Sequence, residues 1–127
     1  METGETIKKG LLRLERYAQN IPGGFHCCAE DPENGYPFAY VSDRFLEVLG
    51  WEREEFAARF DNRYTALIHP DDLAAGLRYR NAENSATYAK NGDSIFRILG
   101  KNGYRWVTNA ANQVEWYGKG YIVGTIT

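Results

Sequence analysis

The chain has 127 residues, enough for one compact domain and too few for two of ordinary size. Hydrophobic residues at 43% with 14% aromatics exclude a disordered composition and point to a core of large side chains. Seventeen acidic residues face fifteen basic ones, mixed along the chain for a net charge of −2, which leaves no electrostatic footprint for nucleic acid or an anionic membrane surface.

In residues 5–20, Ile7, Leu11, Leu14 and Ala18 recur at four-three-four spacing, predicting an amphipathic helix of about two heptads. Residues 1–22 then form an N-terminal helix and linker, and residues 23–127 the domain. Such a helix either packs on its own domain or makes the chain a homodimer through a short coiled coil. The charges Glu2, Glu5, Lys8, Lys9, Arg13, Glu15 and Arg16 exclude the apolar segment of a signal peptide, and no later stretch approaches a membrane span. A cytoplasmic protein without a membrane partner is expected. After the breaker Ile21-Pro22-Gly23-Gly24, "FHCCAED" reads as a strand, "DPENGYP" as a turn-rich loop and "FAYV" as a second strand. Cys27 and Cys28 are adjacent in the first strand, so their side chains point to opposite faces and do not easily bond each other. That suits a reducing compartment.

Ser42 or Asp43 caps the next helix, which runs through Leu49 and stops at Gly50, a residue suited to the left-handed backbone of a helix end. Phe45, Leu46, Leu49 and Phe56 supply apolar faces for two short helices. "IHPDDL" starts another, with Pro70 at the first helical position and Asp71 and Asp72 at the positive end of the dipole. This longer helix is expected to run to about Lys90, with Asn91-Gly92 as its stop. "SIFRILG", "YRWVTNAANQVEW" and "GYIVGTIT" are strands, and Asn102-Gly103 reads as the turn between the first two. The fold class is α+β: a five-stranded antiparallel sheet with short helices and one longer helix on one face, plus the N-terminal amphipathic helix.

These segments resemble a PAS domain over most of residues 23–127. "YVSDRFLEVLGWEREEF" resembles the family's strand-to-helix handover, and "LIHPDDL" is similar to the helix start of a subgroup with that His-Pro-Asp-Asp signature. "FRILGKNGYRWV" resembles that subgroup's central hairpin. The closing "YIVGTIT" is similar to the last strand of the family, after which an Asp-Ile-Thr sequence and an effector usually follow; the chain is therefore expected to stop just before a C-terminal effector domain. The resemblance implies the input module of a bacterial signal-transduction protein of the diguanylate cyclase or histidine kinase type, with a cavity between sheet and helices where the family holds a small molecule when it holds one.

The two histidines, His26 in a strand and His69 before a helix, make no catalytic triad with a nearby nucleophile, so the chain is not expected to be an enzyme. His26, Cys27 and Cys28 match no usual zinc spacing. Where light-sensing flavin relatives carry a reactive cysteine, this chain reads "FDNRYTALIHP", which argues against a flavin adduct. Residues 71–90 contain no axial histidine for haem, leaving His69 as the sole local candidate. The cofactor is therefore unknown, with flavin and haem disfavoured. Candidate cavity residues are His26, Cys28, Tyr40, Phe45, Leu49, Trp51, Phe56, Leu67, Leu73, Leu77, Ile98, Val107 and Asn109. Strand alternation leaves two choices of face; similarity to the family's hairpin places Val107 and Asn109 inward and Trp106 outward, where it joins Ile7, Leu11, Leu14 and Ala18 as a candidate dimer interface. A ligand-free dimerisation module with a core filled by its own aromatics is the competing expectation.

Overall fold

Strands β1 (Gly24–Ala29), β2 (Phe38–Val41), β3 (Ser94–Gly100), β4 (Gly103–Trp116) and β5 (Lys119–Ile126) form one antiparallel sheet in the order β2-β1-β5-β4-β3. The structure, a computed structural model, describes residues 23–84, 86–88 and 93–127. The heptad residues Ile7, Leu11, Leu14 and Ala18, and the expected stop at Asn91-Gly92, lie outside the described residues. No helix among the described residues is long and apolar enough to cross a membrane.

The handover after β2 has a specific cause. Ser42 Oγ accepts from Phe45 N at 3.1 Å, capping α1 (Asp43–Leu49), and also from Phe25 N at 3.0 Å, which ties the helix start to β1. Gly50, at φ 80°, ends α1, and its N–H bonds the carbonyls of Leu46 and Glu47. α2 (Arg53–Arg59) follows, then 3-10 turns at Tyr64–Ala66 and Pro70–Asp72. His69 Nδ1 accepts from Asp71 N at 3.1 Å, so this histidine shapes the start of the second turn.

The expected long helix does not form as one piece. α3 spans only Leu73–Gly76, and the chain then leaves the helical path, regaining a helical turn at residues 86–88. Tertiary demand explains this: β4 continues beyond its pairing with β3, which ends at Asn109, so its outer backbone groups need partners. Arg80 supplies them, donating N–H to the Ala111 carbonyl at 2.8 Å and accepting from Gln113 N at 2.7 Å. Asn81 and Asn84 reinforce the break by bonding nearby backbone, with Asn81 Oδ1 accepting from Asn84 N at 2.9 Å. A second correction concerns the β3–β4 turn. Gly100 pairs with Gly103, so the linking residues are Lys101-Asn102, and Gly103, at φ 117°, enters the strand. At the β4–β5 hairpin, Tyr117 (φ 50°) and Gly118 (φ 76°) supply the left-handed pair of a tight turn.

Both sheet edges are covered by the helical connection. Along β2, Asn62 accepts from Phe38 N at 3.0 Å and returns a bond from its Nδ2 to the Phe38 carbonyl at 2.8 Å. Along β3, Leu67 accepts from Leu99 N at 2.8 Å, His69 donates to the Arg97 carbonyl at 3.0 Å, and the Asp72 carboxylate accepts from Arg97 N at 2.9 Å. Asp72 also binds the Arg97 guanidinium through both oxygens, at 2.8 and 3.0 Å, and this fork holds its carboxyl down to about 2. The Pro-Asp-Asp turn thus closes an edge that would otherwise invite another strand.

Under the helices the core is aromatic: the rings of Phe38, Phe45, Phe56 and Tyr64 meet with centroids 5.4 to 6.0 Å apart, joined by Leu67, Phe96, Ile98, Val107 and Ile126. The opposite face of the sheet carries a second cluster of Phe25, Cys27 and Tyr121, flanked by Tyr40, Val114, Trp116 and Val123.

Candidate functional site

Between the sheet and the segment Gly76–Tyr79, here called the strap, lies a cavity of about 10 Å³, room for one water-sized body. Its floor is His26 and Cys28 from β1, Asn109 and Ala111 from β4, and Ile122 from β5, while Tyr36 and Tyr64 close one side. The strap is held down at its far end, where Tyr79 Oη donates to Glu30 at 2.9 Å and Gln113 Nε2 donates to the same carboxylate at 2.7 Å.

A polar pair spans the floor. His26 Nε2 stands 3.1 Å from Asn109 Oδ1, the two side chains reaching toward each other from β1 and β4 across the intervening β5. Gly124 lies directly beneath. A Cβ at that position would stand 2.8 Å from His26 Nε2 and 2.9 Å from Asn109 Oδ1, so the middle strand needs a glycine for the pair to meet. With the amide oxygen facing the ring, Nε2 carries the imidazole proton and donates it, and Nδ1 is left as a bare acceptor. His26 Nδ1 is buried without a partner among the described groups, and so is Tyr64 Oη. The two rings stack with centroids 5.1 Å apart.

Burial sets the charge state of the site. It lowers His26 to about 4, against a smaller raising effect of the Asn109 bond. Burial also pushes Cys28 and Tyr64 well above their ordinary values, each helped by a neighbouring ionisable group. At neutral pH the cavity lining therefore presents a neutral imidazole, a thiol and a phenol. A protonated thiol is a poor nucleophile, and the chemistry on offer is hydrogen bonding in an apolar enclosure.

Of the residues expected at the cavity, the structure brings together His26, Cys28, Leu77 and Asn109. Phe45, Leu49, Phe56, Leu67, Ile98 and Val107 are buried in the packed core instead, filling with aromatic and branched side chains the space that a larger cavity would need. Trp51 packs on Phe60 with centroids 5.2 Å apart and donates Nε1–H to the Leu99 carbonyl at 3.1 Å. Two expectations fail outright. Leu73, the first residue of α3, is 38% exposed and lines neither the cavity nor the core. Tyr40 faces the other side: it pairs with Cys27, and the shift between Cys27 and Cys28 leaves Ala39 as an extra residue, so Phe38 and Val41 point inward while Tyr40 packs against Phe25. Val107 and Asn109 stand inward at 3% exposure, and Trp106 points outward at 64%. Tyr36, Tyr64, Arg78, Tyr79, Ala111, Ile122 and Gly124 went unread in the sequence. Only Gly124 left a mark there, as a glycine inside the β-branched run "YIVGTIT".

The pattern of the PAS fold matches residues 38–126. The chain belongs to the PAS fold family. Its architecture is similar to that of a PAS domain from a two-component sensor histidine kinase, at a TM-score of 0.60 and 13% identity over 94% of this chain and 96% of the other. It is also similar to part of an RNA-binding light-oxygen-voltage receptor, at a TM-score of 0.59 and 16% identity over 98% of this chain. This PAS domain spans 34% of that receptor's length. No curated protein matches the chain.

Proposed function

We propose that this PAS domain is the sensing part of a signal-transduction protein and that it reads the occupant of the cavity beneath the strap. The observation that supports this reading is the pair of orphaned polar atoms, His26 Nδ1 and Tyr64 Oη, in an otherwise apolar enclosure. Buried polar groups without partners are costly, and a folded domain keeps them where something else completes them. An occupant that bonds these atoms would lift or seat the strap, and with it the Arg80 bridge to β4, whose hairpin leads through β5 to the C-terminal end. The change is a population shift in sheet packing, passed to a neighbouring effector of the diguanylate cyclase or histidine kinase type. Residues 1–22 form the dimerising element, with Trp106 on the outward face of the sheet beside the partner. The site of action is the cytoplasm.

Mass spectrometry of the purified chain under native conditions tests the reading, together with a thermal-shift panel of metabolites. A retained small molecule or a saturable stabilisation supports sensing. A clean apo mass with no stabilisation by any compound rejects it. The second reading, a ligand-free scaffold, is favoured by the filled aromatic core and the small cavity volume of about 10 Å³. Replacing Leu11 and Leu14 by Ala in the full-length protein addresses the dimer: unchanged oligomeric state and output would refute the N-terminal route.

A further inference from the structure

The polarity of the cavity floor narrows what can bind there. Asn109 Oδ1 only accepts, so the 3.1 Å contact fixes the proton on His26 Nε2 and leaves the Nδ1 lone pair waiting for a donor. Tyr64 Oη can donate or accept. Arg78 is the one fully cationic side chain among the described lining residues, and its guanidinium is already engaged. It donates to Ser94 Oγ and to the Tyr88 carbonyl, both at 3.1 Å, and lies over the Tyr88 ring at 4.3 Å. At the rim, the Glu30 carboxylate adds negative charge where it holds Tyr79 and Gln113.

An anion entering this site would lose its hydration, meet a bare imidazole lone pair, and approach a carboxylate at the rim. A neutral molecule with an N–H or O–H group meets a complementary acceptor and a phenol able to take its other valence. Size adds a second filter, since a floor cavity of about 10 Å³ admits a compound of more than a few heavy atoms only by displacing Leu77 and the strap. Building on the sensing role above, we propose that the His26–Tyr64 seat takes a small neutral amide or hydroxyl compound that donates to His26 Nδ1 and bonds Tyr64 Oη, and that it turns away carboxylates of the same size.

Acetamide and acetate are a matched pair for the test, equal in heavy atoms and differing in the donor and the charge. The full chain, labelled with ¹⁵N, is titrated at neutral pH with each compound into the range of tens of millimolar, as ligands of so few atoms bind weakly. Acetamide is expected to shift the amides of Gly124 and Ala111 saturably, with acetate at least about tenfold weaker, since a charged group without a partner is strongly disfavoured in an apolar site. The Tyr64→Phe chain should bind acetamide roughly three- to tenfold more weakly, the loss of one hydrogen bond. The long-range ¹⁵N spectrum of His26 should show Nε2 protonated and Nδ1 bare. Acetate binding as tightly as acetamide, a protonated Nδ1, unchanged binding to Tyr64→Phe, or no response to either compound would each overturn the proposal. If it is overturned while native mass spectrometry finds a retained molecule, the sensing role stands and the ligand class falls. If neither compound binds and nothing is retained, both fall.

Discussion

Replacing Gly124 with alanine places one carbon where the two buried side chains of the cavity floor meet. Its Cβ would stand 2.8 Å from His26 Nε2 and 2.9 Å from Asn109 Oδ1, where ordinary contact begins at 3.4 Å. The side chains would have to part by about half an ångström, enough to lose the 3.1 Å bond between them. Crowding a packed site costs about 1–3 kcal/mol. Leaving a buried donor and acceptor unpaired costs about 1–3 kcal/mol more, against a gain of about 0.4–1 kcal/mol from the stiffer unfolded chain. The net expectation is a loss of about 1–5 kcal/mol, a large part of the ~5–15 kcal/mol that holds a domain of this kind together. Urea unfolding followed by circular dichroism measures it. Gly118→Ala is the control, with nothing within 4 Å of its Cβ but a φ of +76°, so it carries backbone strain of about 1–2 kcal/mol without a clash. In an Asn109→Ala background, His26 can yield, and Gly124→Ala should cost markedly less than it does alone. The reasoning is refuted if Gly124→Ala unfolds within about 0.5 kcal/mol of the parent chain, or if its cost is the same with and without Asn109.

Tyr64→Phe removes an orphaned hydroxyl, so the ligand-free variant should match the parent in urea or exceed it by up to about 1 kcal/mol, whereas Tyr79→Phe breaks the bond to Glu30 and should lose about 0.5–1.5 kcal/mol. His26 titrates near 6.5 when unfolded and at about 4 when buried, so acid favours the unfolded chain between these values: stability should fall by about 3 kcal/mol from pH 6.5 to 4 and then level off for this group. Across that range the stability of the parent should fall by about 3 kcal/mol relative to that of His26→Phe, whichever is the more stable at neutral pH; parallel curves would contradict a neutral buried imidazole. Asp72 runs at lower pH. Its carboxyl is held at about 2 in the folded chain against an ordinary 3.8, so its contribution is complete above 3.8 and lost as pH falls through about 2. The gap between parent and Asp72→Asn in acid unfolding should close across that window.

Much of this domain was legible because the deciding forces are local. A serine oxygen three residues ahead of an amide caps α1, a glycine takes the left-handed backbone at its end, and β-branched and aromatic runs bounded by turn residues mark the strands, whatever the rest of the chain does. His26 and Asn109 could be named as candidate polar groups of a cavity, but the inward face of Asn109 came from the resemblance to the family's hairpin, since strand alternation left both faces open. What the sequence did not carry was which elements would need one another. The helix after Pro70 has a helical pattern, yet it ends at Gly76, since the edge of β4 that β3 does not reach takes the backbone of Arg80. Tyr40 looks inward on strand alternation, yet one extra residue in β2 turns it out. The cavity itself depends on residues 83 positions apart meeting across a strand that arrives last in the chain. Periodicity and capping are read over a few neighbours and so belong to the sequence; the partners of a backbone edge, and the space left between packed side chains, exist only once distant segments have been brought together.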